Sequence, residues 1–386
     1  MKKNIFISLF GLIFGIVCMM FIFRNNLQLS SNINSILTPL GLYKPEVIGF
    51  LPYWLINDSN NNYLSDMDNI SYFGLAIDVD GTISKMTKPT ETEPGWLTLQ
   101  TGKISPILDA AKQKNLKRSL VVFNGNQESI NRLMDDPVKH GQNLVKEVSP
   151  IIIKYGFTDL NLDIENVSTA SESARQKFTL FTKTVHNQLQ KYDNSITLSI
   201  DVSPIVLIKP YLIDVNAISP FVDKVILMTY DFHYQGSSVT GAVSPVGGAG
   251  ISAEFDTETS IKEALKILSP DKIILGAPLY GYEWETLLDH PHAAVIPGSG
   301  IVVSNKRVEE LLSTCASCSA QFDSISQESY FIYKDQETNT FHQFFYPDKQ
   351  AMEEKINLIK KYHLGGMALW ALGYEGKTIL DPLKNL

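Results

Sequence analysis

Apolar positions in this chain follow two alternating patterns. Short runs rich in β-branched and aromatic residues occur at 47–54, 70–79, 118–123, 159–164, 196–202, 224–228, 272–278 and 366–370. Longer stretches with helical spacing lie among them, at 105–114, 137–155, 171–192, 257–268 and 351–362. Strand and helix in alternation predict a parallel sheet. Eight strands in a domain longer than about 250 residues predict an α/β fold closed as a (β/α)8 TIM barrel. Helix starts are read at Ser105, followed by Pro106, and at two pairs with capping-box spacing, Ser173 with Gln176 and Ser260 with Glu263. The interval between the seventh and eighth strands is too long for a simple crossover. Residues 283–348 hold extra strand-like pieces at 330–333 and 341–346, which predicts a small α+β insertion walling one side of a cleft.

The fourth strand departs from the pattern of its neighbours. In Thr158-Asp159-Leu160-Asn161-Leu162-Asp163-Ile164-Glu165, period-two alternation puts Asp159, Asn161, Asp163 and Glu165 on one face. Leu160, Leu162 and Ile164 take the other. Buried charge is costly unless paired or hydrogen-bonded, so a whole face of carboxylates and an amide marks a working site. The row ends with Glu165 at the strand's C-terminal end, where barrel folds place their chemistry.

Composition narrows the function classes. The 386 residues are 44% hydrophobic and 19% charged, with a net charge of −8 and no basic stripe. Nucleic acid is therefore not an expected partner. The glycines at 247, 248 and 250 lack the following Lys-Ser/Thr of a phosphate loop and read as loop. At the N-terminus, Lys2 and Lys3 precede an apolar run at 5–23 that Arg24 closes. About 19 apolar residues are just enough to span a bilayer as a helix. Residues 1–24 are thus read as a transmembrane signal-anchor, with the remaining chain outside the membrane. A cleaved signal, giving a secreted protein, is the alternative. Residues 25–44, polar and rich in Asn and Ser, read as a linker, and 45–386 as the catalytic domain. Cys315 and Cys318 lie in a Cys-Ala-Ser-Cys loop with no second Cys or His pair nearby. A local disulfide is favoured there over a zinc site. No metal and no cofactor are expected.

The fourth-strand octad resembles the Asp-Gly-x-Asp-x-Asp-x-Glu signature of glycoside hydrolase family 18. Other segments agree in order. Gly49-Phe50-Leu51-Pro52-Tyr53-Trp54 is similar to the family's first strand, and Met228-Thr229-Tyr230-Asp231 to its sixth. Leu275-Gly276-Ala277-Pro278-Leu279-Tyr280-Gly281 is similar to the seventh, and Gly365-Gly366-Met367-Ala368-Leu369-Trp370 to the eighth. Asn161 and the pair Asn166-Val167 resemble the spore-germination branch, whose members act on N-acetylglucosamine in peptidoglycan. The resemblance implies a retaining glycosidase in which the substrate's own 2-acetamido oxygen attacks the anomeric carbon, an exception to the two-carboxylate scheme. It implies that Glu165 is the general acid, that Asp163 orients the acetamido N–H, and that Tyr230 holds the acetamido oxygen. Trp370 would floor the site. Asn161, Asp231, Tyr53 and Tyr280 are further substrate-binding candidates, and the implied partner is an N-acetylglucosamine-containing polysaccharide.

The octad departs from the signature at Thr158, Asp159 and Asn161. Asn161 cannot titrate, although its amide can donate to Asp163. A non-catalytic carbohydrate-binding protein on the same barrel is the competing reading. Such proteins typically lack the acid, and Glu165 is present.

Overall fold

The computed structural model describes residues 44–57, 62–251 and 253–386. The anchor expected at 1–24, and all of the linker except Lys44, lie outside them. Among the described residues no helix is long and apolar enough to cross a membrane.

In chain order the strands are β1 (Glu46–Pro52), β2 (Asn69–Ala76), β3 (Met86–Lys88), β4 (Glu91–Thr92), β5 (Lys117–Asn124), β6 (Asp159–Ile164), β7 (Thr197–Val202) and β8 (Lys224–Leu227). They continue with β9 (Ile273–Pro278), β10 (Tyr280–Thr286), β11 (Ile301–Ser304), β12 (Gln321–Asp323), β13 (Glu328–Lys334), β14 (Phe341–Tyr346) and β15 (Gly366–Trp370). A closed barrel runs β1-β15-β9-β8-β7-β6-β5-β2. Each of its pairings is parallel. With helices between successive strands, this is the (β/α)8 arrangement.

Alternation along each strand sorts side chains into two layers. Leu160, Leu162 and Ile164 of β6 turn outward into an apolar layer. That layer also holds Leu144 and Val148 of helix Pro137–Tyr155 and Phe178 and Phe181 of helix Glu172–Tyr192. Burying each such side chain contributes about 1.5–3 kcal/mol. A one-residue slip of β6 would exchange these leucines for Asp163 and Asn161, so the outer layer fixes the register that aims the polar row inward. A smaller apolar cluster fills the barrel interior with Ile48, Phe50, Val121, Ile226, Ile274 and Ala368.

The helix leading into β6 ends at Gly156, whose left-handed φ of 65° caps its last turn. Three helix starts differ from the sequence expectation. Helix Ser105–Gln113 is preceded by Ile104, already helical, so Ser105 is its first residue and makes no cap bond. Helix Glu172–Tyr192 is capped by Ser171, which accepts from the Ala174 N–H at 3.2 Å. Helix Thr257–Ala264 is capped by Asp256, which accepts from the Thr259 N–H at 2.6 Å. In the last two a good acceptor stands upstream of the Ser-x-x-Gln/Glu pair and takes the cap first.

Between β9 and β15 a five-stranded antiparallel sheet, β11-β10-β14-β13-β12, packs with helix Asn305–Thr314. It starts at Tyr280, earlier than the expected 283, because only Leu279 separates β9 from β10. Cys315 and Cys318 are joined as a disulfide after that helix.

Candidate active site

The inward face of β6 carries polar groups from deep in the barrel to its C-terminal mouth. Asp159 accepts from the Thr197 hydroxyl at 2.6 Å and the Ser199 hydroxyl at 2.7 Å. Burial raises its pKa, opposed by Lys224 and these hydroxyls. Asn161, 1% exposed, donates its amide to Ser199 Oγ at 3.0 Å and to Asp201 Oδ1 at 2.8 Å. Its amide thus serves Asp201 on β7 rather than Asp163, because Asn161 stands beside Ser199 in the β6–β7 ladder. Asp163 is buried, and its Oδ1 has no hydrogen-bond partner among the described residues. Burial first, then the neighbouring Asp201 and Glu165, raises its pKa well above the ordinary value.

Glu165 follows the end of β6, its N–H donating to Asn124 O at 2.9 Å. Its side chain keeps surface open to the cavity, yet the barrel mouth surrounds the carboxyl. That restricted solvation, with Asp231 nearby, raises its pKa.

The loop after β8 brings Tyr230 and Asp231. Asp231 has a left-handed φ of 59°, a conformation Asp tolerates better than most residues. Its Oδ1 accepts from the Tyr280 hydroxyl at 2.6 Å and the Tyr282 hydroxyl at 2.9 Å. Burial raises its pKa, opposed by these two bonds. The same loop is pinned from behind. Thr229 Oγ1 donates to Gly276 O at 2.6 Å, and Ser244 Oγ donates to Thr229 O. Buried Glu328 of β13 accepts from the Val243 and Ser244 N–H groups at 2.6 and 2.9 Å. Buried Lys355 donates to Ser244 O at 2.7 Å. Its pKa is pushed down to about 8 by burial, opposed by Glu328 and Asp348.

A cleft of about 750 Å³ opens at the C-terminal mouth of the barrel. Asp163, Glu165, Asp201, Tyr230 and Asp231 line its polar side. Phe50, Tyr53, Trp54, Phe73, Phe123 and Trp370 line its aromatic side. Trp370 ends β15 and meets Phe73 edge-on at 5.0 Å between centroids, and Phe50 and Trp54 at 6.0 and 6.3 Å.

Of the residues expected from sequence, Glu165, Asp163, Tyr230, Asp231, Trp370 and Tyr53 thus share the cleft. Asn161 lies beneath it and Tyr280 behind it, holding Asp231. Among the described residues no insertion side chain lines the cleft. The insertion was expected to wall it, but its reach is indirect, through Tyr280, Tyr282 and Glu328. Sequence reasoning missed Asp201 and Glu93. Asp201 had a signal, the inward alternation Thr197, Ser199, Asp201. Glu93 caps helix Pro94–Gln100 through the Gly95 and Trp96 N–H groups while lining the cleft. Among the described residues no group of three or more His, Cys, Asp or Glu is placed to hold a metal ion.

The profile of Glycosyl hydrolases family 18 matches residues 46–375, and the chain belongs to this family. It is 30% identical over 245 residues to the cortical fragment-lytic enzyme of Bacillus subtilis (strain 168). That match covers 62% of this chain and 52% of the relative, so the chain spans about half the relative's length. The fold superposes on the spore cortex-lytic enzyme SleL of Bacillus cereus with a TM-score of 0.69 and 22% identity, over 88% of this chain and 74% of that one. It superposes on a Group IV chitinase of Ostrinia furnacalis in complex with allosamidin with a TM-score of 0.74 and 18% identity, over 89% and 98%. At these identities the two structures establish the fold.

Proposed function

We infer that this protein hydrolyses β-linked, N-acetylglucosamine-containing glycans, with peptidoglycan as the substrate, by a retaining, substrate-assisted route. The observation that carries this reading is the meeting of Glu165, Asp163, Tyr230 and Trp370 in one cleft. Glu165, its pKa raised, holds a proton for the departing glycosidic oxygen. Asp163 accepts the acetamido N–H and faces the cation that forms when the acetamido oxygen bonds to the anomeric carbon. The Tyr230 hydroxyl donates to that oxygen and aims it. Trp370 stacks beneath the reacting sugar. Asp231, at a fixed angle between two tyrosine hydroxyls, keeps the charge near Glu165 negative. Water then opens the oxazolinium from the face the leaving group vacated, with Glu165 as base, so configuration is retained. No cofactor enters the scheme.

The choice of peptidoglycan is supported by the 30% identical cortical fragment-lytic relative. Digestion of purified peptidoglycan by the intact protein, with mass spectrometry of the products, tests the reading. N-acetylglucosamine reducing ends are expected, and Glu165→Gln should lower turnover by at least about two orders of magnitude. A Gln variant as active as the parent would remove the acid assignment, and binding without turnover would favour a carbohydrate-binding protein.

We also propose that residues 1–24 anchor the domain outside the membrane. Lys2 and Lys3 before the apolar run support this orientation, and the Cys315–Cys318 disulfide suits an oxidising compartment. Protease added to intact cells should then remove a membrane-bound domain. Domain recovered in the medium would mean a cleaved signal, and domain protected inside the cell would contradict the topology.

A further inference from the structure

Asp163 and Asp201 stand side by side on neighbouring strands. The β6–β7 ladder pairs Asn161 with Ser199 and Leu162 with Ile200. One residue further along, Asp163 and Asp201 both face the barrel interior, one interstrand step of about 4.8 Å apart at the backbone. Each is 4% exposed, and both line the same cleft. The titratable groups facing them are Asp159 and Glu165 from β6 and its end, and Tyr230 from the loop after β8. No cation stands among these. Two unneutralised carboxylates this close in a buried site do not both ionise without a large cost, so the pair keeps a proton.

The surroundings of the two carboxyls are unequal. Asp201 Oδ1 accepts from the Asn161 amide at 2.8 Å, and Asn161 is held in turn by Ser199. Asp163 Oδ1 has no hydrogen-bond partner among the described residues. In the free protein the negative charge is therefore better supported on Asp201 and the proton on Asp163. An incoming acetamido N–H reverses this preference, because it gives a carboxylate at Asp163 the donor it lacks.

We propose that Asp201 is a positioning residue: the Asp163–Asp201 pair carries one negative charge, and its proton moves from Asp163 to Asp201 when the substrate's N–H docks on Asp163. The inference rests on the substrate-assisted reading above. One proton changes carboxyl and nothing else is consumed. Asp201 goes on accepting from Asn161 through Oδ1 while its other oxygen holds the proton. Asp163 is then anionic where the oxazolinium cation develops.

Two variants of the full chain test this, assayed on chitooligosaccharides. In Asp201→Asn, Asp163 loses the protonated neighbour that supports its charge. Turnover should fall about tenfold or more, and the acidic limb of kcat/KM should move up by about one pH unit, with the thermal midpoint unchanged or higher. The exchange variant Asn161→Asp/Asp201→Asn returns a carboxyl to the pair from β6 and keeps an amide beside it. It should recover most of the lost turnover and move the limb back. A merely structural Asp201 would leave the limb in place, and wild-type turnover and pH profile in Asp201→Asn would overturn the proposal. Should Asp201→Asn not fold, the exchange variant decides: turnover within tenfold of wild type supports the pair, and a folded, inactive protein overturns it. Infrared difference spectra without substrate separate this from a failure of the functional reading. The wild type should show one protonated carboxyl at neutral pH that Asp201→Asn lacks, whatever the glycan. Identical spectra would sink the pair even if the enzyme cleaves, and absent cleavage with the expected spectra would sink only the reaction.

Discussion

The chemistry of the cleft depends on how each carboxyl is solvated. Glu165 has its pKa raised first by restricted solvation and then by Asp231. In the proposed role of acid it must be protonated before the bond breaks, so kcat/KM should fall as pH rises through its pKa. That alkaline limb should lie above the ordinary glutamate value of about 4.3. Asp231→Asn removes the neighbouring charge while leaving an oxygen to accept from Tyr280 and Tyr282. The Glu165 pKa should then fall and the alkaline limb move to lower pH. A pH profile of the variant checks this, and a limb that stays put would show that Asp231 does not act on Glu165. At this scale the sequence was readable where the residue type was out of place. Asp163 and Glu165 stood out because a core strand does not ordinarily carry carboxylates. Asp201 did not, because Thr197, Ser199 and Asp201 alternating with apolar residues also describe an ordinary half-polar strand. The target of the Asn161 amide depended on strand register, which spacing within one strand does not reveal.

Between residue and molecule, the loop after β8 is the element under most constraint. It offers Tyr230 and Asp231 to the cleft and is held from behind by two buried groups of opposite charge on two other elements, Glu328 of β13 and Lys355 of helix Lys349–Tyr362, each bonded to its backbone. Removing Lys355 leaves Ser244 O without its buried donor and Glu328 without its opposing charge. Lys355→Met should therefore cost about 1–3 kcal/mol of stability in denaturant unfolding. The double variant Glu328→Gln/Lys355→Met should recover most of that loss. If the single variant unfolds like the parent, the pair does not hold the loop. None of this was legible in the sequence, since Glu328 and Lys355 look like ordinary surface charges within a strand and an amphipathic helix. The barrel strands were legible, because a buried parallel strand leaves a short apolar run between turn residues. Helix ends were less so, since Ser171 and Asp256 outcompeted the paired patterns chosen inside their helices.

At the scale of the molecule, the barrel supplies a rigid mouth and the insertion stiffens one edge of it. Tyr280 and Tyr282 on β10 reach Asp231 directly because β10 follows β9 after a single residue. The insertion thus acts by orienting Asp231, while the cleft surface itself comes from the barrel strand ends and their loops. On the proposed scheme everything assembled there serves one event, attack by the substrate's own amide oxygen while Glu165 protonates the leaving group. The most direct test compares cleavage rates of matched chitooligosaccharide glycosides whose reacting sugar carries a 2-acetamido group, a fluorinated acetamido group or a hydroxyl. Turnover should fall stepwise as fluorine withdraws electron density from the amide oxygen, and the hydroxyl sugar should not be cleaved. Equal rates across the three substrates would contradict the account.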